Sequence, residues 1–267
     1  MNLRTTLAAS CALLLAACAS GPAIDTSHRS IGHDSRVLFI VLHATEGGFE
    51  GSLKVLTEGP VSSHYLVRDQ PATVYRLVDE DRRAWHAGVS QWAGHTQLNA
   101  SSVGIEIVNR VGQPYPPEQV EAVVALVRDI ARRHAVKPDR VIAHSDIAPQ
   151  RKRDPGPLFP WRRLADAGLI PWPDEQQVAA QQPAFEAQLP DIAWFQQRLA
   201  AHGFEVPQHG TQDPATRRVL AAFQMKYRPV RHDGEPDAET AALLQVITSP
   251  GGRWVLGADG LRRPYQP

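Results

Sequence analysis

Val37-Leu38-Phe39-Ile40-Val41-Leu42, followed at once by His43, is an unbroken apolar run, best read as a strand buried on both faces. Further strands are expected at residues 65–68, 74–78, 103–108 and 141–143. Between the last two, Pro116-Pro117-Glu118 opens a helix whose Val120, Val123, Val124, Val127, Ile130 and Ala131 recur at helical spacing, and Lys137-Pro138 ends it. A short helix is expected over residues 161–167, stopped by Gly168. Strands mixed with flanking helices predict an α/β domain, residues 36–172, with a mixed central sheet flanked by helices.

Downstream, Pro171-Trp172-Pro173-Asp174-Glu175 leads into a Gln/Ala-rich stretch, so residues 173–188 read as a linker. A second unit, residues 189–248, is expected to be a small three-helix C-terminal domain. Three short amphipathic helices are marked by Ile192, Phe195 and Leu199, then Val219 and Phe223, then Thr240, Leu243 and Leu244. The tail, residues 249–267, has no periodicity, and either a disordered end or a packed strap fits it.

Of 267 residues, 28 are Lys or Arg and 28 are Asp or Glu, and 43% are apolar. That balance suits a soluble two-domain protein with a real core, and it offers no basic surface for nucleic acid. Residues 1–17 carry Arg4 as their one charge and an apolar run too short to span a membrane, as in a signal peptide. Its end, Leu15-Ala16-Ala17-Cys18, resembles the lipobox of bacterial lipoproteins, which implies that Cys18 is a lipid anchor and residues 18–35 a tether. Ala19 stands where inner-membrane retention is associated with aspartate, so the periplasmic face of the outer membrane is expected. Cys11 falls in the segment removed. Cysteine nucleophiles and cysteine-based zinc sites are thereby excluded.

The 11 histidines are the most informative residues, because His43 and His144 each follow directly on an apolar strand, where open sheets place ligand clefts. Asp154 lies ten residues beyond His144. Two neutral imidazoles and a carboxylate would leave one position of a tetrahedral zinc ion open. Spacing alone does not decide between such a site and two ordinary hydrogen-bonded histidines. Ser62-Ser63-His64 invites a serine-hydrolase reading, but no strand-turn-helix elbow surrounds it. His64, His95 and His134 read as structural or surface residues.

Val41-Leu42-His43-Ala44-Thr45, Trp85-His86-Ala87-Gly88, Ser102-Val103-Gly104-Ile105-Glu106, His144-Ser145-Asp146 and Lys152-Arg153-Asp154-Pro155-Gly156 stand in this order. Together they resemble the zinc N-acetylmuramoyl-L-alanine amidases related to peptidoglycan recognition proteins, over roughly residues 35 to 170. The resemblance implies His43, His144 and Asp154 as zinc ligands, and hydrolysis of the amide joining the lactyl group of N-acetylmuramic acid to L-alanine. In some relatives a tyrosine directly before the position of His64 handles protons. Here that position is Ser63, which leaves Glu106 as the expected base. Lys152 is expected to stabilise the oxyanion, with Arg151 and Arg153 at the surface. Trp85, His86 and Asn109 are candidates for binding the muropeptide.

Trp194-Phe195-Gln196-Gln197-Arg198-Leu199, Asp213-Pro214-Ala215-Thr216 and Ala222-Phe223-Gln224 resemble the three-helix peptidoglycan-binding domain of wall hydrolases, with a structural cap as the alternative. The expected partners are peptidoglycan and muropeptides, with the membrane reached through the lipid, and the expected state is a monomer. The rival to an enzyme is a noncatalytic peptidoglycan-binding lipoprotein of the recognition type.

Overall fold

In the computed structural model, which describes residues 22–266 apart from Val111, the apolar run folds as strand β1 (Phe39–Ala44). The expected signal peptide and Cys18 lie outside the described residues, and residues 22–34 carry no helix or strand. After β1 come α1 (Phe49–Glu58), β2 (Tyr65–Arg68), β3 (Thr73–Arg76), the short β4 (Gln91–Trp92) and β5 (His95–Thr96), and β6 (Ser102–Ile107). There follow α2 (Pro117–His134), β7 (Val141–Ala143), α3 (His144–Ile147) and α4 (Trp161–Ala165). The remainder comprises β8 (Trp172–Pro173), α5 (Glu175–Ala187), α6 (Ile192–His202), α7 (Pro214–Tyr227), α8 (Ala238–Ile247), β9 (Arg253–Leu256) and β10 (Arg262–Pro264).

The central sheet has the order β3-β2-β6-β1-β7. β1 is parallel to β6 and β7, β2 is parallel to β6, and β3 alone is antiparallel, so the sheet is mixed as expected. Alternation gives each strand two faces. Ile40, Leu42, Val103, Ile105 and Ile107 point to the face covered by Val120, Val123, Val124, Val127 and Ile130 of α2. Each of these fully buried aliphatic side chains contributes roughly 1.5–3 kcal/mol relative to exposure. The register Phe39↔Ser102, Val41↔Gly104, His43↔Glu106 defines the other face. There Phe39, Val41 and Ile142 pack with Trp92, Leu98 and the core of the C-terminal helices, including Phe195, Leu199, Val219 and Phe223.

One expectation changes, one open alternative is decided, and one helix was not expected. Residues 173–188, read as a linker, contain α5, started by the Asp174 carboxylate accepting the Gln177 N–H at 2.9 Å and packed along α8. Its Glu, Gln and Ala residues favour helix without forming an apolar stripe, and none is fully buried. The tail is a packed strap: β9 pairs with β8 through Trp254↔Trp172, and β10 pairs with β9. Helix α1 had no signal, because Gly47-Gly48 precede it and Gly51 interrupts it. In the C-terminal unit Asp191, Asp213 and Asp237 each cap a helix by accepting a backbone N–H three residues on, which is why three short helices hold there.

Glu80 joins the segment after β3 to α2. Its carboxylate accepts from the Tyr65 hydroxyl at 2.7 Å, Arg133 at 2.8 Å and His134 Nε2 at 2.6 Å. Burial acts to raise this carboxyl, but hydrogen bonds from Arg133, His134 and Tyr65 outweigh it and bring it down to about 2. A carboxyl lowered on folding stabilises the protein above its unfolded value, 4.5, and that contribution is lost as pH falls towards 2. Urea unfolding of Glu80→Gln should therefore give a shallower loss of stability than wild type over this window. An unchanged slope would remove Glu80 from the acid response.

Candidate active site

β1, α3 and the loop before α4 deliver three donors to one point. His43, next to last in β1, is 1% exposed; His144, the first residue of α3, is 3% exposed; and Asp154, on the loop before α4, is 6% exposed. His43 Nδ1 and His144 Nδ1 lie 2.9 Å apart, and Asp154 Oδ2 lies 3.3 Å from the first and 3.1 Å from the second. The Asp154 loop is held by the Ser145 N–H donating to the Asp154 carbonyl at 2.9 Å and by the Tyr115 hydroxyl donating to the Pro155 carbonyl at 2.7 Å.

The partners of the other ring nitrogens set the tautomers. His43 Nε2 donates to His86 Nδ1 at 3.0 Å, His86 Nε2 donates to Ser102 Oγ at 3.2 Å, and that hydroxyl donates to the Leu98 carbonyl at 2.5 Å. His144 Nε2 donates to the Ala87 carbonyl at 3.3 Å. Both Nδ1 atoms are then acceptors, and with the carboxylate they present three lone pairs to a single small space, an arrangement a cation satisfies. Burial, followed by the neighbouring His144, holds His43 down at about 4. Burial acts to raise Asp154, but the facing His144 and His43 imidazoles hold it well below the usual carboxylate range. At neutral pH His43 is thus neutral and Asp154 ionised, the forms that bind a metal ion.

Glu106 projects from β6 beside His43, with Oε1 4.0 Å from His43 Nδ1. Among the described residues its Oε2 has no hydrogen-bond partner. Burial, helped by the charges of Asp154 and Glu46 and opposed by Lys152, pushes it up to about 8. The cleft above has a volume of about 470 Å³ and is lined by Glu46, Ser52, Trp85, Glu106, Lys152 and Asp154, among others. Trp85 is half exposed at its rim, with the Arg83 guanidinium 4.2 Å from the ring centroid. Asn109 lines an adjoining cavity of about 300 Å³ and donates to the Gln113 carbonyl.

His86 lines the cleft together with Trp85, and the structure gives it a further role. The ring is buried behind His43 with both nitrogens engaged, and burial holds it well below its ordinary value, so its strongest contact is to a metal-facing imidazole. Gly104 makes room for it, since a Cβ there would overlap the His86 ring. The signal was available as a glycine inside a strand, flanked by Val103 and Ile105. His64 accepts the Gly104 N–H at 3.0 Å and is structural, as expected. Arg151 is exposed, as expected, and its guanidinium also donates to the Ala87 and Val89 carbonyls, tying the Trp85 loop to the Asp154 loop.

Residues 33–157 match the family described as N-acetylmuramoyl-L-alanine amidase, and residues 188–244 match a peptidoglycan binding domain. The N-acetylmuramoyl-L-alanine amidase AmiD of Escherichia coli (strain K12) is 41% identical over 266 residues, covering 91% of this chain and 96% of that one. The chain belongs to the N-acetylmuramoyl-L-alanine amidase family. The same fold is seen in the E. coli AmiD complex with the substrate anhydro-N-acetylmuramic acid-L-Ala-D-γ-Glu-L-Lys. That match has a TM-score of 0.74 and 40% identity, and it covers 83% of this chain and 92% of that one. AmpDh3 of Pseudomonas aeruginosa superposes with a TM-score of 0.78 at 38% identity, covering 84% of this amidase and 97% of that chain.

Proposed function

We propose that this amidase hydrolyses the bond between the lactyl group of N-acetylmuramic acid and L-alanine in muropeptides, anhydro forms included, using zinc held by His43, His144 and Asp154. The observation that carries this reading is the convergence of those three buried side chains, with donor atoms within 4.8 Å of one another, beside Glu106 on the cleft floor. The donor set fits the ion. Edges of 2.9, 3.1 and 3.3 Å compare with the separation of about 3.3 Å between donors bound at about 2.0 Å to tetrahedral zinc. Anhydromuramyl peptides are the bound molecules in the complexes of E. coli AmiD and P. aeruginosa AmpDh3, which supports the substrate class.

When bound, zinc supplies Lewis acidity that polarises a carbonyl and makes water easier to deprotonate near pH 7. Glu106 accepts a proton from the water that attacks the lactyl carbonyl carbon. It returns that proton to the alanine nitrogen as the carbon–nitrogen bond breaks, leaving a carboxylic acid and a free amine. Lys152 places an ammonium near the oxygen that gains negative charge. His86 and the Ala87 carbonyl keep the two imidazoles oriented, and Trp85 offers an aromatic rim to the sugar or peptide.

Mass spectrometry of muropeptides incubated with the protein should show peptides with a free L-alanine amino terminus, loss of that release with a chelator, and its return with zinc. Release that ignores the chelator would overturn the metal reading. The recognition-type alternative fits less well, because a binder has no use for Glu106 and Lys152 beside a full donor set.

The envelope location is part of the same proposal, with acylation of Cys18 anchoring the chain at the periplasmic face of the outer membrane and the C-terminal helices reaching the wall. The support is the small-residue run ending Ala16-Ala17-Cys18. Mass spectrometry of the mature amino terminus should find a diacylglyceryl cysteine at residue 18, and an unmodified end would remove the anchor.

A further inference from the structure

A buried charge pair joins the C-terminal helices to the metal-facing turn. Lys226, on the last turn of α7, is 7% exposed, and Asp146, on α3, is 1% exposed. Lys226 Nζ donates to Asp146 Oδ2 at 2.8 Å, and the same oxygen accepts the Ala143 N–H at 2.9 Å. His144 lies between those two anchor points in sequence, so one carboxylate oxygen grips both the turn that carries His144 and the helix that carries Lys226. The neighbouring Ser145 N–H donates to the Asp154 carbonyl, extending the tie to the loop of the third donor. Lys226 Nζ also sits 4.3 Å from the centre of the Trp161 ring, where that loop enters α4. Around the pair, Ile147 and Ala148 pack in one cluster with Val219, Leu220 and Phe223 of α7.

Apolar residues of similar volume commonly serve stability as well as a buried ion pair does, so stability is a weak reason for this one. Direction is a better reason. An ammonium bound to one carboxylate oxygen fixes both the place and the rotation of a one-turn helix, which apolar contact alone leaves loose. We propose that Lys226 is a positioning residue for the metal site: by holding Asp146 it aims His144 Nδ1 at the point shared with His43 and Asp154. The C-terminal module is then a structural part of the catalytic unit as well as a wall-binding attachment. This inference rests on the reading of His43, His144 and Asp154 as zinc ligands.

Zinc affinity of the full chain, measured by chelator competition, tests it together with the visible spectrum of the cobalt-loaded chain. Lys226→Met should weaken zinc binding about 10- to 100-fold, the range for lost outer-shell support, and lower the intensity of the tetrahedral cobalt bands. Lys226→Arg, which keeps the charge, should recover most of the affinity. Because Lys226→Met leaves the Asp146 charge stranded and endangers folding, Lys226→Met combined with Asp146→Asn removes the imbalance along with the tie. That double variant should fold and still bind zinc at least 10-fold more weakly than wild type. If it folds with wild-type zinc affinity and an unchanged cobalt spectrum, Lys226 serves stability alone and the proposal fails. A wild-type chain that takes up neither metal would instead overturn the ligand assignment itself.

Discussion

Glu106→Gln should lower kcat by about 100-fold or more while the protein retains its zinc. Glutamine keeps the size and strand position of the glutamate but cannot accept a proton, so the substitution isolates the acid–base role. The surroundings prepare Glu106 for it. Burial, reinforced by Asp154 and Glu46 and opposed by Lys152, brings its carboxyl to about 8, and a cation held at the adjacent donor triangle would lower it towards neutral pH, where a group both takes and returns a proton. Its position 4.0 Å from His43 puts it next to the donor triangle and outside it, so metal content should not fall with activity. Steady-state hydrolysis of an anhydromuramyl tripeptide, with zinc measured on the same sample, separates the two. A kcat within a few-fold of wild type would mean that another group is the base.

His144→Ala should remove both bound zinc and activity. Catalytic zinc sites of this kind use three protein ligands, and the two left here, His43 and Asp154, come from different segments, with no other histidine, cysteine, aspartate or glutamate grouped with them as a third donor among the described residues. Loss of several kcal/mol of transition-state stabilisation corresponds to a fall on the order of 1,000-fold or more in rate. The fold should survive, because the core between the sheet and α2 lies on the opposite face from the site. Metal analysis, circular dichroism and muropeptide release measured together read all three outcomes. Turnover that persists in this variant and also withstands chelation would defeat the metal assignment outright.

Much of the site was legible because its residues stand at the ends of strands that announce themselves by composition. His43 and His144 each close an apolar run, and Glu106 alternates with Ile105 and Ile107, so a local period of two already separates it from the α2 face. Helix α2 was equally plain, its valines recurring at helical spacing and all buried where expected. The elements without local contrast were hidden. Helix α1 is broken up by glycine, α5 has no apolar stripe, and β9 exists as a strand because Trp254 and Arg253 find Trp172 and Pro173, some 80 residues earlier in the chain.

From its residues alone, this chain determined which groups could do the chemistry and which faces of its main strands and longest helix would be buried, because alternation and helical spacing are properties of near neighbours. Three matters belonged to the tertiary structure. The parallel register of β1 and β6 brings His43 beside Glu106, the absence of a Cβ at Gly104 lets His86 stand behind His43, and packing of α7 on α3 carries Lys226 to Asp146. Each is a contact between groups 18 to 80 positions apart, formed only after two elements have chosen one another. No pattern within either segment encodes the distance between them.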